Sequence, residues 1–163
     1  MRILRRKSLT LGQKQEIFEL WNNEYPRNLK YNNISELDEY LKNLKDQKHM
    51  LLMDENDKIK GWYCDFFRDQ ERWFLTILNS NIQGKKFGTQ IINLAKETNQ
   101  ELNGWVINSD NYLKTNGQIY KSPTDFYKKQ GFQILDDEHL KTEQISAIKI
   151  KWSKTGYNIG YPI

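Results

Sequence analysis

A mixed α/β fold, one sheet covered by helices, is what this sequence predicts, and three observations carry the prediction. Three apolar or aromatic runs, Met50 to Met53, Ile59 to Phe67 and Glu71 to Leu78, follow one another with only turn residues between them. That is the pattern of an antiparallel meander. The third run passes through Gly84 and Gly88 into an amphipathic segment from Phe87 to Leu94, a strand–turn–helix unit. Helical periodicity flanks this centre on both sides. At 163 residues the chain can bury roughly 70% of its unfolded surface around one core, so a single domain over 1–163 is expected.

A leading strand opens the element order. Thr10 and Gln13 have capping-box spacing, and Ile17, Leu20 and Trp21 give the following helix its apolar stripe. Pro26 biases Tyr25 away from helical geometry, so that helix stops within Asn22 to Pro26. A second helix reads with Ser35 as its cap and Asp38 in its first turn. Leu37, Tyr40, Leu41 and Leu44 form its stripe at i, i+3, i+4 and i+7. Asp54 to Asp57 is turn chemistry inside the meander. After the central helix, Gly104 to Ile107 reads as a short buried strand and Asn108 to Lys121 as a polar, irregular segment. Ser122 then caps a helix with Pro123 at its first position and Asp125 at its third, and Gly131 closes it in the left-handed conformation. Phe132 to Leu135 and Ile145 to Trp152 are the last strands. In the second of these Ile148, Ile150 and Trp152 face one side, Lys149 and Lys151 the other. The predicted order is β-α-α-β-β-β-α-β-α-β-β.

Composition narrows the function classes. The formal net charge is +4, but acids are interspersed with bases and no long basic block marks a nucleic-acid tail. Arg5-Arg6-Lys7 and the Lys149/Lys151 pair read equally as solvated strand faces or as contacts for a partner. No nucleic-acid partner is expected; a nucleic-acid-binding domain stays as a third reading, tested by the salt dependence of oligonucleotide binding. Cys64 is the sole cysteine, which excludes an intramolecular disulfide and a cysteine metal cluster. His49 and His139 are isolated and read as surface or packing residues, so no metal is expected. There is no apolar signal core and no run near the ~18 apolar residues of a membrane span. A soluble cytoplasmic protein is expected, with no membrane partner.

The functional signal lies in Gln83-Gly84-Lys85-Lys86-Phe87-Gly88-Thr89. The first N–H groups of a helix lack intrahelical acceptors, and the aligned peptide dipoles favour negative charge there. Lys85 and Lys86 add cationic side chains. A phosphate-bearing ligand therefore suits this turn, although a purely structural strand–helix turn uses glycine in the same way. The spacing matches neither a Walker A loop nor a dinucleotide fingerprint.

Gln83 to Gly88 resembles the Gln/Arg-x-x-Gly-x-Gly/Ala acetyl-CoA signature of the GNAT N-acetyltransferase superfamily. Phe126-Tyr127-Lys128-Lys129-Gln130-Gly131-Phe132 is similar to that family's late helix, which ends in a Tyr-x-x-x-Gly-Phe turn. The resemblance implies an acyl-CoA N-acyltransferase fold, a mostly antiparallel mixed sheet of about seven strands flanked by four helices. The chain also departs from the family pattern. Lys86 stands where the first glycine is usual, and its side chain either leans to solvent or reaches a CoA phosphate. Tyr120 stands where family members commonly carry Asn. The segment Asn108 to Lys121 looks like an insertion, either a lid over the acceptor or a solvated loop.

The resemblance implies transfer of acetyl from acetyl-CoA, the expected co-substrate, to a primary amine by direct attack in a ternary complex. Amides from Gly84 to Thr89, with Gln83 and Phe87 in the same turn, would hold the pyrophosphate. A backbone N–H late in the preceding strand, at Leu78 or Asn79, would meet the charge developing on the thioester oxygen. Tyr127 would protonate the leaving thiolate, or else only packs beside Phe126. Glu71 and Asp65 are candidates for the base that takes the amine proton. Glu24 and Tyr25 resemble the family's acceptor-side loop by position. A small-molecule amine is the expected acceptor, with a peptide or protein amine second. The alternative is a non-catalytic acyl-CoA-binding module of the same fold. The five tryptophans line a pocket or fill the core. The oligomeric state, monomer or homodimer, stays open, as does whether the tail Tyr157 to Ile163 packs on a partner.

Overall fold

The computed structural model describes residues 1–154, so the tail from Tyr157 to Ile163 lies outside the described residues. Seven strands form one sheet: β1 (Arg2–Arg6), β2 (Lys45–Met53), β3 (Ile59–Arg68), β4 (Glu71–Leu78), β5 (Glu101–Val106), β6 (Gln133–Lys141) and β7 (Ser146–Ser153). Four α-helices cover it: α1 (Leu11–Glu24), α2 (Ile34–Lys42), α3 (Phe87–Thr98) and α4 (Thr124–Lys129). The order along the sheet is β1-β2-β3-β4-β5-β7-β6. The first four strands form an antiparallel meander, β4 pairs with β5 in parallel, and β7 lies antiparallel between β5 and β6. The fold class and element order are those the sequence predicts.

Side-chain alternation along each strand divides the core in two. On one face Ile17, Leu20 and Trp21 of α1 and Leu37 and Leu41 of α2 pack on Leu51, Trp62, Cys64, Trp73 and Ile77. On the other, Ile91, Ile92 and Ala95 of α3 and Tyr127 of α4 pack on Met50, Leu52, Tyr63, Phe74, Ile148 and Ile150. Several tryptophans are therefore core residues. His49 is a packing residue as well: its Nδ1 accepts from Trp62 Nε1 at 3.0 Å, and burial pushes its pKa down to about 4.

Local chemistry accounts for the turns. Thr10 and Gln13 close a reciprocal capping box on α1. Asp69 and Gln70, at φ 52° and 65°, form the two-residue hairpin between β3 and β4, the left-handed pair that matches strand twist. Gly131 has φ 88° at the end of α4.

Some expected boundaries differ. Asn33, not Ser35, caps α2, because its side chain accepts the Glu36 N–H at 3.2 Å and the helix begins at Ile34. Pro123 occupies the cap of α4, and Ser122 stands one residue outside it, accepting the Thr124 N–H at 3.3 Å. β2 begins at Lys45 rather than Met50, beyond a bulge. β6 continues past Leu135 through Asp136 to Glu138 by shifting register on β7. Those charges carry no strand pattern, yet they suit an edge strand. Lys149 and Lys151 are not on a solvated face: Lys149 is 7% exposed, and both pair with Glu71.

Candidate active site

β4 and β5 meet at one registered pair, Trp73 with Asn103, and part beyond it. In an antiparallel ladder the backbone groups of successive residues point alternately toward and away from the partner strand. The Asn79 N–H donates to Lys60 O at 2.8 Å, across the β3 side. The Leu78 N–H therefore points the other way, into the opening between β4 and β5. Of the two oxyanion candidates, Asn79 thus donates its N–H toward β3, and the Leu78 N–H faces the β5 side. Gln83 holds this end in place, its Nε2 donating to Leu78 O at 2.9 Å.

The turn that follows presents a row of open amides. Gly84 has φ 75°, and Lys86, the cap of α3, has φ 70° and ψ 8°. Lys86 keeps the left-handed backbone for which glycine is the usual residue, and does so at a steric cost. The first helical bond is Gln90 N–H to Lys86 O at 3.1 Å. The amides of Phe87, Gly88 and Thr89 precede it and have no helical acceptor, and Lys86 provides no side-chain cap. Gly88 answers a packing need: a Cβ there would lie 3.1 Å from Phe126 Cζ and 3.4 Å from Leu78 Cδ1. Glycine at this position lets α3 approach α4 and β4 closely. Lys85 is exposed and does not line the cavity beside this turn.

That cavity, of about 460 Å³, runs from the turn to the end of α1. Gln83, Gly84, Lys86, Gly88, Thr89 and Phe126 line one end; Glu24, Tyr25, Tyr120 and Lys121 line the other. Thr76, Leu78 and Tyr127 lie between. Thr76 Oγ1 is buried without a protein hydrogen-bond partner. Tyr127 is held edge-on to Phe74, Phe126 and Phe132 at centroid distances of 5.7, 5.0 and 5.3 Å. Burial and then the neighbouring Tyr120 raise its pKa well above the ordinary phenol value, so the hydroxyl stays protonated. Burial likewise pushes Tyr120 up to about 12. Tyr25 is raised by burial and by Tyr120 and Tyr127.

The insertion packs at the Glu24 end of the cavity. It forms a small hairpin, with an antiparallel bridge between Leu113 and Ile119. The hairpin is pinned to the α1–α2 connection: Pro26 bridges Lys114, Arg27 N–H donates to Leu113 O at 2.8 Å, and Thr115 Oγ1 donates to Asn22 O at 2.8 Å. Lys114 Nζ reaches Glu24 Oε1 at 3.0 Å, and Ser80 N–H donates to Glu24 Oε2 at 2.9 Å. Within residues 108–121, Tyr120 and Lys121 line the cavity, while Leu113, Lys114 and Thr115 bond to the end of α1 and the connection after it.

Glu71 and Asp65 stand elsewhere. Glu71, at the far end of β4 and about 23 Å from Leu78 at strand rise, pairs with Lys149 at 2.9 Å and Lys151 at 3.0 Å. Burial acts to raise its pKa, but the two ammonium partners outweigh it and hold the carboxyl below the usual range, which weakens it as a base. Asp65 is 2% exposed and forms a forked ion pair with Arg72, whose Nε reaches Oδ1 at 2.7 Å. Its other oxygen accepts from Tyr63 at 2.7 Å and from Asn99 at 3.2 Å. Asn99 is the C-cap of α3, a helix length of about 18 Å from the open amides. Neither carboxylate lines the cavity. Sequence reasoning missed Thr76, Ser80 and Lys114. No local signal marks them, because each matters through a partner or an opening distant in the chain.

Among the described residues no helix is long and apolar enough to cross a membrane, and no group of three His, Cys, Asp or Glu side chains could hold a metal. No curated protein matches the chain in sequence. Solved structures do match in fold. An aminoglycoside 6'-N-acetyltransferase complexed with coenzyme A superposes with a TM-score of 0.67 at 15% identity, covering 94% of this chain and 97% of that one. A spermidine N-acetyltransferase from Vibrio cholerae gives 0.62 at 17%, over 94% and 95% of the two chains. A phosphinothricin acetyltransferase from Sinorhizobium meliloti in complex with acetyl-CoA gives 0.64 at 10%, over 94% and 89%. The family profile described as "Acetyltransferase (GNAT) domain" matches residues 14–154, nearly the whole chain. With the parted β4–β5 pair and the open turn before α3, that match means the chain belongs to the GNAT acetyltransferase family.

Proposed function

We propose that the chain transfers an acetyl group from acetyl-CoA to the primary amine of a small molecule, in one step within a ternary complex. The observation that carries this is that one cavity is lined by the turn before α3, by Tyr127 and by Glu24. The residues fit the donor: open amides beside a helix N-terminus suit a pyrophosphate, and the Lys86 cation borders the same end. When bound, acetyl-CoA supplies the thioester. Leu78 N–H donates to the thioester oxygen as charge develops there. The amine nitrogen forms the new C–N bond while the C–S bond breaks. Tyr127 gives its phenol proton to the departing sulfur and recovers one from solvent.

Glu24 is the acidic residue on the cavity wall, and both its oxygens are already engaged. The attacking amine therefore loses its proton to water rather than to a dedicated carboxylate. Lys86 keeps the left-handed backbone of the turn, so the amide cradle serves the donor in this reading and in the alternative of a non-catalytic acyl-CoA module alike. The test combines calorimetric titration of acetyl-CoA with an amine screen that reads released thiol. Tyr127→Phe is expected to lower kcat about 10²-fold or more while leaving the acetyl-CoA Kd within twofold. Unchanged kcat removes Tyr127 from the chemistry, and absence of saturable acetyl-CoA binding sinks the proposal.

A further inference from the structure

We infer that the acceptor is a monoamine carried on an apolar or aromatic body and not a polycation. The inference rests on the acetyl-transfer reading above and deepens it. Its starting point is the Glu24 carboxylate, 7% exposed at the end of α1. A polyamine or an aminoglycoside brings two or more ammonium groups, and each one buried needs a carboxylate of its own. Among the described residues lining the cavity Glu24 is the only acid, and its charge is already paired with Lys114. Lys114 Nζ holds Oε1 at 3.0 Å and the Ser80 amide holds Oε2 at 2.9 Å. The 155–163 segment contains no Asp or Glu that could supply another side-chain carboxylate.

The neutralising cation reaches Glu24 without itself lining the cavity. Lys114 belongs to the hairpin fastened to the α1 end by the Pro26 bridge and by Arg27 and Thr115, and its side chain is 11% exposed. The other charged lining residues, Lys86 and Lys121, are cations as well. They suit the phosphates of the donor and repel a second ammonium on the acceptor. What remains at the acceptor end is aromatic surface. Tyr25 and Tyr120 pack edge-to-face at 6.4 Å, and both line the cavity together with Tyr127. Such walls take an aryl or alkyl body by apolar contact, while the single amine is delivered to the reacting end. The bonds made and broken are those of the proposed transfer.

The decisive experiment compares kcat/KM for 2-phenylethylamine, spermidine and kanamycin with the full-length protein and saturating acetyl-CoA, following thiol release. At least a tenfold preference for 2-phenylethylamine over both polycations is expected. Lys114→Met frees one oxygen of Glu24 and is expected to raise the spermidine to 2-phenylethylamine ratio about tenfold. Adding Glu24→Gln to that variant removes the freed charge and is expected to return the ratio toward the wild-type value. Equal or better turnover of spermidine or kanamycin by the wild type overturns the inference, as does turnover of another amine but not of 2-phenylethylamine. Failure of the acetyl-transfer reading is distinguishable, since it shows as absent acetyl-CoA binding or as binding with turnover of no amine at all, whereas the inference fails when another amine is turned over and 2-phenylethylamine is not preferred. Should Lys114→Met fail to fold, the wild-type comparison still decides.

Discussion

Lys86→Gly is expected to make the apoprotein more stable and acetyl-CoA binding weaker. Lys86 has φ 70°, and an L-residue held there costs about 1–2 kcal/mol that glycine avoids. Glycine returns about 0.5–1 kcal/mol of this through the greater freedom of the unfolded chain. The net backbone gain is about 0.5–1 kcal/mol, or a Tm rise of roughly 1–4 °C for a chain of this size. The variant also removes a cation from the positive end of α3, worth about 0.3–1 kcal/mol at low salt. Lys86→Ala separates these contributions, since alanine loses the charge but keeps the left-handed cost. Urea denaturation of the three proteins should place glycine about 0.5–1 kcal/mol above alanine. Because the Lys86 side chain borders the cavity at the amide-rich end, both variants are expected to weaken acetyl-CoA by about two- to fivefold. Glycine no more stable than alanine would refute the strained-turn argument. Unchanged affinity in both would place the side chain in solvent, away from the phosphates.

With no unpaired carboxylate among the described residues lining the cavity to act as base, kcat/KM for the amine should rise about tenfold per pH unit below the pKa of the amine itself. Tyr127, raised well above its ordinary value, should contribute no descending limb up to about pH 10. A plateau setting in near pH 7 would instead reveal a protein base. Glu71→Gln should leave turnover within about twofold, because the side chain serves Lys149 and Lys151 rather than the cavity. The same substitution should lower stability by about 1–2 kcal/mol at pH 7, since Lys149 is nearly buried. The folded-state pKa of Glu71 is depressed, so that contribution is present above the ordinary glutamate value of ~4.3 and is lost as pH falls through the lowered one. A large loss of turnover without loss of stability would restore Glu71 as a catalytic candidate.

Features set by neighbours along the chain were legible in the residues alone. The Thr10–Gln13 capping box, the left-handed Gly131, the meander and the order of all eleven major elements depend on contacts or periodicities within a few residues. The strand–turn–helix unit from Leu78 to Thr89 is local in the same sense, so its open amides follow from the residue pattern itself. The boundary differences at Asn33 and Pro123 are also local, arising where adjacent residues compete for one cap.

Which charges share a site was not legible in that way. Glu24, Glu71 and Asp65 look alike in sequence, each an acid near the end of a helix or strand. Their roles differ because the chain returns a different partner to each: Lys114 from 90 residues away to Glu24, Lys149 from 78 residues away to Glu71, and Arg72 across a hairpin to Asp65. The insertion of β7 between β5 and β6 is likewise a choice of long-range pairing, and it brings Lys149 and Lys151 to Glu71. The convergence of Tyr25, Tyr120 and Tyr127 on one cavity has the same origin. A carboxylate's function depends on which cation or amide reaches it first. That is settled by where distant segments pack, which local periodicity does not encode.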